Sequence, residues 1–221
     1  MKKLQGKFIA FEGIDFSGKT TQLELLAERL KGLGLDIFVT KEPGSPHFEI
    51  TQKLRRILLD KKNKQIVSRA ELAIFFADRA QHIMEEGGVG EQLQQDKVVL
   101  TDRGYGSTFA YQVFGRRIGN LYFINQMNNF FSYGIWPDMN ILLDLPVEVA
   151  QSRIRSEKNK SRFDKENLEF HQRVKEGYIQ LATKIEPERW MIFDGTKPIE
   201  EIADEIFERV CNWLKEFLIL C

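Results

Sequence analysis

Eight residues near the start of the chain have the types and the spacing of a phosphate-binding loop. They fill the pattern G-x-x-x-x-G-K-[ST] in the order Gly13, Ile14, Asp15, Phe16, Ser17, Gly18, Lys19 and Thr20. Glycines let a backbone curl so that its N–H groups point at phosphate oxygens, and the N-terminus of a following helix favours anions. Lys19 could reach the β- and γ-phosphates of a nucleotide, and the Thr20 hydroxyl could ligate Mg²⁺. The pattern therefore predicts a nucleotide site.

The rival interpretation of this stretch is a glycine-rich turn with a capping threonine. The context disfavours it, because the apolar run 7–11 predicts a buried strand before the loop and the pattern over 19–32 predicts a helix after it. The pattern alone does not separate a kinase from an ATPase or a GTPase.

Two side chains within the loop suggest what surrounds it. An acid such as Asp15 is unhelpful in an anion site unless it serves a second ligand, and the 3′-hydroxyl of an acceptor nucleotide is a natural partner. Phe16 stands where a basic residue could have stabilised a transferring phosphoryl group. That positive charge must therefore come from another segment.

A helical stretch, 71–82, could contact the base of an acceptor. Phe75 and Arg79 are four residues apart and share one helix face, where the ring could stack on a base and the guanidinium could bond its edge. From these two residues alone, the favoured interpretation is a phenylalanine in the core and an arginine on the surface, since large aromatic side chains are usually buried for packing.

A pair of charged residues, Asp102 and Arg103, follows the apolar run 97–101. Ligands of open α/β sheets bind at the carboxyl ends of the strands, so a phosphate-binding arginine is favoured here over a simple ion pair. Polar side chains follow within one or two helical turns, at Ser107, Thr108, Tyr111 and Gln112.

The elements that must position these residues alternate along the chain. Apolar runs typical of buried strands cover 7–11, 36–40, 97–101, 139–145 and 190–194. Amphipathic segments typical of helices cover 19–32, 47–60, 66–86, 106–115, 120–133, 147–156, 165–184 and 198–217. This alternation predicts an α/β fold, with a five-stranded parallel sheet covered by helices on both faces, in one domain over 1–221.

The composition is ordinary for a protein with a hydrophobic core and excludes some function classes. Of 221 residues, 43% are hydrophobic and 29% charged, and 32 basic residues balance 32 acidic ones. Without a basic excess, we expect no nucleic-acid partner and no membrane surface. The two cysteines, Cys211 and Cys221, do not form a disulfide framework, and no apolar stretch is long enough to span a membrane, so we expect a cytoplasmic location.

Seven segments, found in one order over most of the chain, resemble the thymidylate kinase family. They are "FEGIDFSGKTTQ", "TKEPG" (40–44), "KLRRILLD" (53–60), "FFADRAQH" (75–82), "TDRGYGSTFAYQ" (101–112), "PDMNILLDLPVEVA" (137–150) and "SRFDKENLEFHQRVKEGYIQLA" (161–182). The resemblance implies a P-loop NTPase fold of the nucleoside monophosphate kinase type, and transfer of the γ-phosphoryl group of Mg-ATP to dTMP, giving dTDP and ADP. Two segments depart from the family pattern, at Gly104 and at 45–49.

The resemblance also implies a role for individual residues of the acceptor site. Asp15 would hold the 3′-hydroxyl of dTMP, and Tyr111 would crowd the 2′ position and so favour deoxyribose. The acceptor phosphate would be held by Arg55 and Arg103. The base would be stacked on Phe75, would meet Arg79 at its edge, and would be contacted by Thr108 and Gln112.

A basic run at 153–162 would form a lid over the site, within a segment at about 151–164. Such runs are usually solvated faces, but phosphoryl transfer needs mobile positive charge that the loop lacks. Bacterial thymidylate kinases, which this arrangement resembles, use lid arginines, and we predict that Arg153 and Arg162 act here. Weaker candidates are Arg155, Lys158 and Lys160.

The remaining predictions concern the metal, the assembly and the alternatives. We predict that Thr20 holds Mg²⁺, with Asp102 acting through water, and the family pattern implies a homodimer to which the helix over 120–134 could contribute. Two other functions stay open: a kinase of another nucleoside monophosphate, and a P-loop switch or regulatory ATPase. A switch would need neither the arginine-rich second site nor the basic lid.

Overall fold

The fold is that of a computed structural model, which describes residues 6–153 and 161–217. Five strands form one parallel sheet in the order β2-β3-β1-β4-β5. The strands are β1 (Lys7–Glu12), β2 (Ile37–Lys41), β3 (Val98–Asp102), β4 (Met139–Asp144) and β5 (Trp190–Asp194). Each lies within one residue of the predicted run, which confirms the predicted five-stranded parallel sheet.

Helices lie between successive strands and after the last strand. They are α1 (Lys19–Gly32), α2 (Glu49–Leu59), α3 (Ser68–Met84), α4 (Val89–Gln94), α5 (Tyr105–Thr108), α6 (Leu121–Phe131), α7 (Val147–Ser152), α8 (Leu168–Gln180) and α9 (Ile199–Lys215). Wider π-helical turns continue α5 over Phe109–Gly115 and α8 over Leu181–Ile185, and short 3₁₀ turns cover Phe163–Lys165 and Pro187–Arg189. In the part of the chain that the structure describes, no helix is long and apolar enough to cross a bilayer.

Alternate residues of the central strands enter two different cores, because successive side chains of a strand point to opposite faces. Ile9 and Phe11 of β1 pack on the face that is covered by α1 and α9. Phe8 of the same strand packs on the other face, beside α3 and α4. The largest cluster on that second side draws side chains from α3, α5, α6 and α8. Helices thus cover both faces of the sheet, as the sequence predicts.

Two helical segments differ from the prediction. The sequence pattern gave no helix at α4, because glycines precede and enter this six-residue element and glycine disfavours helices. The helix is held instead by tertiary contacts, with Val89 fully buried and the Gln92 side chain donating to the Gly87 carbonyl. The predicted helix 165–184 begins only at Leu168, because the Asn167 side chain accepts the N–H of Phe170 and caps it there.

The carboxyl ends of β1 and β3 lie side by side. Phe11 of β1 is in register with Asp102 of β3, and the Arg103 N–H donates to the Phe11 carbonyl over 2.9 Å. The phosphate loop leaves the sheet directly after Glu12. The loop and the Asp102-Arg103 pair therefore start from adjacent points on one edge of the sheet.

Candidate active site

The phosphate-binding pattern forms the turn between β1 and α1. Gly13 and Gly18 have φ angles of 141° and 96°, which a residue with a side chain adopts only under strain. A Cβ on Gly13 would also lie 2.7 Å from the Leu143 carbonyl oxygen. Because Gly18 has no side chain to cap α1, the N-terminal N–H groups of that helix stay available to an anion.

Lys19 lies inside this turn and is buried. Its Nζ donates to the Ile14 carbonyl over 2.7 Å and to the Ser17 hydroxyl over 3.3 Å. Burial, together with the nearby Arg103 guanidinium, lowers the pKa of Lys19 to about 8. Phosphate oxygens beside the ammonium group would favour its charged form, so binding of a nucleotide and protonation of Lys19 would support each other.

Thr20 in the first turn of α1 and Asp102 at the end of β3, both predicted to serve a metal, are in direct contact. The Thr20 hydroxyl donates to Oδ2 of Asp102 over 2.6 Å. A hydroxyl and a carboxylate at this separation offer the oxygen ligands that Mg²⁺ prefers. The pair therefore fits the predicted ion at the edge of the phosphate loop.

A hydrogen-bonded group joins the loop to the residue after Asp102. Arg103 pairs with Oδ1 of Asp15 over 2.5 Å, and the Tyr111 hydroxyl donates to Oδ2 of Asp15 over 2.7 Å. Arg103 also donates to the Gly13 carbonyl over 2.9 Å and to the Tyr178 hydroxyl over 3.0 Å. Burial alone would raise the pKa of Asp15, but Arg103 and Lys19 hold it below its ordinary value.

The acceptor residues predicted from the sequence surround one cavity of about 260 Å³ beside the loop. All eight line it: Asp15, Arg55, Phe75, Arg79, Arg103, Thr108, Tyr111 and Gln112. They come from the loop, α2, α3, the end of β3 and the helix that begins at Tyr105. Side chains that are distant in sequence thus converge on one concave, partly charged space of the kind that holds a small ligand.

Arg79 is held rigidly at the wall of this cavity. It donates to Oε2 of Glu42 from Nε and Nη2, over 2.9 and 2.8 Å, and to the Thr108 hydroxyl over 3.0 Å. It also donates to the side-chain oxygen of Asn128 on α6. Only 4% of Arg79 is exposed, so the alternative of a surface arginine is wrong.

Known proteins of one family are similar to this chain over most of its length. The family model described as thymidylate kinase matches residues 11–206. A thymidylate kinase of Desulfovibrio desulfuricans is 41% identical over 204 residues, covering 89% of this chain and 91% of that protein. Those of Trichormus variabilis and Trichlorobacter lovleyi are 40% and 41% identical, covering 96% and 94% of this chain and 99% and 98% of theirs.

This chain belongs to the thymidylate kinase family. Its activity is accordingly that of a dTMP kinase, a phosphotransferase that moves the γ-phosphoryl group of ATP to dTMP. The family match confirms the resemblance and the P-loop NTPase fold that were predicted from the quoted segments. The switch ATPase and the kinase of another monophosphate lose their support.

The two arginines that were predicted to act in a lid lie in different surroundings. Arg153, at the end of α7, donates to the Phe16 carbonyl over 3.2 Å and to the Gly195 carbonyl over 3.0 Å, so it lies against the phosphate loop. Arg162 is buried and pairs with Glu71 over 2.7 Å. In this arrangement Arg162 is bound to the protein itself, and its action on the phosphoryl group stays a prediction. The weaker candidates Arg155, Lys158 and Lys160 lie outside the described residues.

Sequence reasoning missed several buried acids that organise the site. Glu42 accepts from Arg79 and contacts His82, and despite burial these partners lower its pKa to about 2. Asp78 accepts the Gly44 N–H over 2.9 Å, and burial, with the Glu42 carboxylate nearby, raises its pKa to about 8. Glu42 belongs to the "KEPG" segment, and Asp78 directly precedes Arg79 in the "ADR" segment. The presence of these acids in segments that resemble the family is the sequence signal that could have identified them.

Glu12, the last residue of β1, is a further missed acid. It is fully buried and accepts the N–H of Gly104 over 2.9 Å, the N–H and the hydroxyl of Ser107, and the hydroxyl of Tyr178. Burial raises its pKa above the ordinary value. Gly104, one of the two departures from the family pattern, thus presents its N–H to Glu12 and holds the turn that carries Arg103.

Proposed function

We propose that the cavity binds dTMP and that the phosphate loop binds the polyphosphate of ATP, so that the two phosphates meet beside Asp15. The observation that carries this proposal is the convergence of all eight predicted acceptor residues on one cavity, with Asp15 belonging to both the cavity and the loop. Arg55 and Arg103 would hold the acceptor phosphate. Their guanidinium groups have the planar fork that matches phosphate oxygens.

The remaining cavity residues would bind the nucleoside. Phe75 is half-buried, lies 6.1 Å from the Phe163 ring between centroids, and offers a face on which thymine can stack. Arg79, held by Glu42, would donate to a carbonyl oxygen of the base, and Thr108 would contact the same edge. Tyr111 would stand beside the sugar, next to Asp15 and the 3′-hydroxyl.

The transfer itself needs little covalent chemistry from the protein. An oxygen of the dTMP phosphate would attack the γ-phosphorus, the bond from that phosphorus to the β–γ bridging oxygen would break, and ADP would leave. A phosphate monoester dianion is already nucleophilic, so the reaction requires no general base. The protein would supply alignment and positive charge, through Lys19, Arg103 and the lid arginines Arg153 and Arg162.

Magnesium belongs to this proposal through Thr20 and Asp102. When bound, Mg²⁺ neutralises charge on the β- and γ-phosphates of ATP. The Thr20 hydroxyl would contact the ion and the Asp102 carboxylate would contact it through water. Their direct hydrogen bond of 2.6 Å supports a shared ligand role.

Coupled-assay ADP production, with Mg-ATP and one nucleoside monophosphate at a time, tests the proposal. The panel is dTMP, dUMP, dGMP, dAMP, dCMP and the ribonucleotides, with a reaction that lacks an acceptor as the control. We expect ADP with dTMP and weakly with dUMP. Preference for another monophosphate would discard the roles of Phe75 and Arg79, and equal ADP release without an acceptor would refute the acceptor site.

We also propose a cytoplasmic homodimer. Four aromatic side chains on or just after α6 are exposed, namely Tyr122, Phe123, Phe130 and Tyr133. A run of exposed aromatic side chains on one helix is typical of a contact surface. Sedimentation equilibrium should give twice the chain mass of 25.8 kDa, and Phe130→Asp should shift it toward that single mass. A monomeric wild-type protein would refute the dimer.

A further inference from the structure

Glu71, in the first turn of α3, is a buried carboxylate for which the proposed reaction has no use. It is fully buried and accepts four N–H groups. Its Oε1 accepts from Gln112 over 3.0 Å and from Arg116 over 3.1 Å. Its Oε2 accepts from Arg162 over 2.7 Å and from Arg116 over 3.2 Å. Since both oxygens are occupied by protein donors, Glu71 acts on its neighbours and not on a ligand.

Glu71 determines which way the side-chain amide of Gln112 is turned. A carboxylate between two guanidinium groups accepts hydrogen bonds and donates none, so the amide must present its NH₂ group to Glu71. The carbonyl oxygen, Oε1 of Gln112, is then directed away from Glu71. An amide orientation that is ambiguous in most proteins is fixed here by the chemistry of its partner.

The carbonyl oxygen of Gln112 has no hydrogen-bond partner among the residues that the structure describes. It is buried, and among the described residues no donor lies within hydrogen-bonding distance of it. Gln112 itself lines the acceptor cavity and is 1% exposed. Buried polar atoms are rarely left unpaired, because desolvation without a hydrogen bond is costly. An unpaired acceptor in the wall of a ligand cavity is suited to a donor on the ligand.

The thymine base has such a donor, and cytosine differs at that atom. N3 of thymine carries a hydrogen and lies next to the O4 carbonyl, whereas N3 of cytosine is an acceptor next to an amino group. Arg79 has only donors and therefore suits O4. An acceptor from Gln112 beside a donor from Arg79 matches the order of groups on thymine and opposes the order on cytosine.

We propose that Glu71 is a specificity-determining positioning residue, which turns the Gln112 amide so that its carbonyl oxygen receives the N3–H of thymine. This inference rests on the proposed function, in which the cavity holds the base of dTMP. Without a carboxylate at position 71, the amide can rotate and present its NH₂ group to N3 of cytosine. Discrimination between dTMP and dCMP then decreases.

The test compares kcat/KM for dTMP and for dCMP in the wild-type enzyme, in Glu71→Gln and in Glu166→Gln. Glu166 is the matched control, because it also pairs with Arg116 but does not contact Gln112. We expect Glu71→Gln to reduce the dTMP-to-dCMP ratio by about tenfold or more, the usual cost of one misplaced buried hydrogen bond. Glu166→Gln should leave the ratio within about twofold of wild type.

The ratio also separates specificity from lid effects. Glu71→Gln weakens the hold on Arg162, but that change affects turnover of both substrates and cancels in the ratio. If Glu71→Gln does not fold, Glu71→Asp takes its place, since it keeps the negative charge between Arg116 and Arg162 and withdraws the carboxylate from Gln112. An equal loss for dTMP and dCMP in the folded variant would overturn the proposal and assign Glu71 a structural role.

Failure of the proposed function would give a different result. A wild-type enzyme without a preference for dTMP would refute the base assignment before any variant is measured, and the role of Glu71 would fall with it. A wild-type enzyme with a strong dTMP preference that Glu71→Gln retains would refute only the inference about Glu71.

Discussion

Asp78→Asn should change how the stability of the protein depends on pH. Asp78 is buried in α3 with 1% of the residue exposed, and its Oδ1 accepts the Gly44 N–H over 2.9 Å. Burial and the Glu42 carboxylate raise its pKa to about 8 in the folded protein. Asparagine has nearly the same shape, keeps the acceptor for Gly44 and cannot ionise.

The sign of the effect follows from the raised pKa. The unfolded chain releases the Asp78 proton above its ordinary pKa of 3.8, whereas the folded chain keeps it up to about pH 8. The contribution of Asp78 to stability is thus fully present below the unfolded pKa and is lost as the pH rises towards 8. The slope is about 1.4 kcal/mol of unfolding free energy per pH unit, or about 3 kcal/mol over two units.

Urea unfolding at about pH 5.5, 6.5 and 7.5 measures this slope in the wild-type protein and in Asp78→Asn. The wild-type value minus the variant value removes other titrating groups, and this difference should fall by about 3 kcal/mol across the range. Asp60→Asn is the matched control, because Asp60 also accepts a backbone N–H, from Lys62, but is exposed. A difference that stays constant with pH would show that Asp78 is ionised in the folded protein.

Three further substitutions test the roles of charged residues in the two sites. Lys19→Ala should lower turnover by about a hundredfold or more while calorimetric binding of dTMP is retained, and unchanged turnover would remove Lys19 from the ATP site. Asp15→Asn should weaken dTMP binding, measured by the same titration, and a change in ATP affinity alone would contradict its contact with the 3′-hydroxyl. Arg162→Ala should lower kcat by about tenfold or more and raise KM for dTMP less, because its contact forms mainly in the transition state. An effect on KM alone would mean that Arg162 stays with Glu71 throughout the reaction.

The strands and the phosphate loop were predictable because their causes are local. A strand that is buried on both faces must be apolar at nearly every position, and the runs around Ile9, Leu100 and Ile141 meet that condition. The loop requires glycine where φ is positive, as at Gly13 and Gly18. In both cases the physical requirement falls on consecutive residues, so the sequence displays it directly.

The support of the site was not predictable, because it depends on pairs that are distant in the chain. Arg79 is held by Glu42, 37 residues earlier, and by Asn128, 49 residues later. In the sequence, Glu71 is an acidic residue in the first turn of a helix, a position where such residues are common and exposed. Its burial beneath Arg116 and Gln112 follows from the packing of α3 against the segment after α5, which no local pattern encodes.

The donor and acceptor sites are joined by two consecutive residues. Asp102 contacts Thr20 of the donor loop, and Arg103 contacts Asp15 and lines the acceptor cavity. Adjacent Cα atoms are about 3.8 Å apart, so the backbone that carries the predicted metal contact also carries the predicted phosphate contact.

Two hydrogen bonds restrain the turn that follows Asp102. Glu12 accepts the Gly104 N–H, and the Arg103 N–H donates to the Phe11 carbonyl of β1. Phosphoryl transfer depends mainly on holding the attacking oxygen and the phosphorus about 3 to 3.5 Å apart and in line. In the proposed function, this strand end carries Asp102 for the metal ion of ATP and Arg103 for the acceptor phosphate, and these hydrogen bonds would hold both residues in place before either substrate binds. Positive charge from another segment, predicted to come from Arg153 and Arg162, would then complete the site, and the loop could function with Phe16 where a basic residue could have stood.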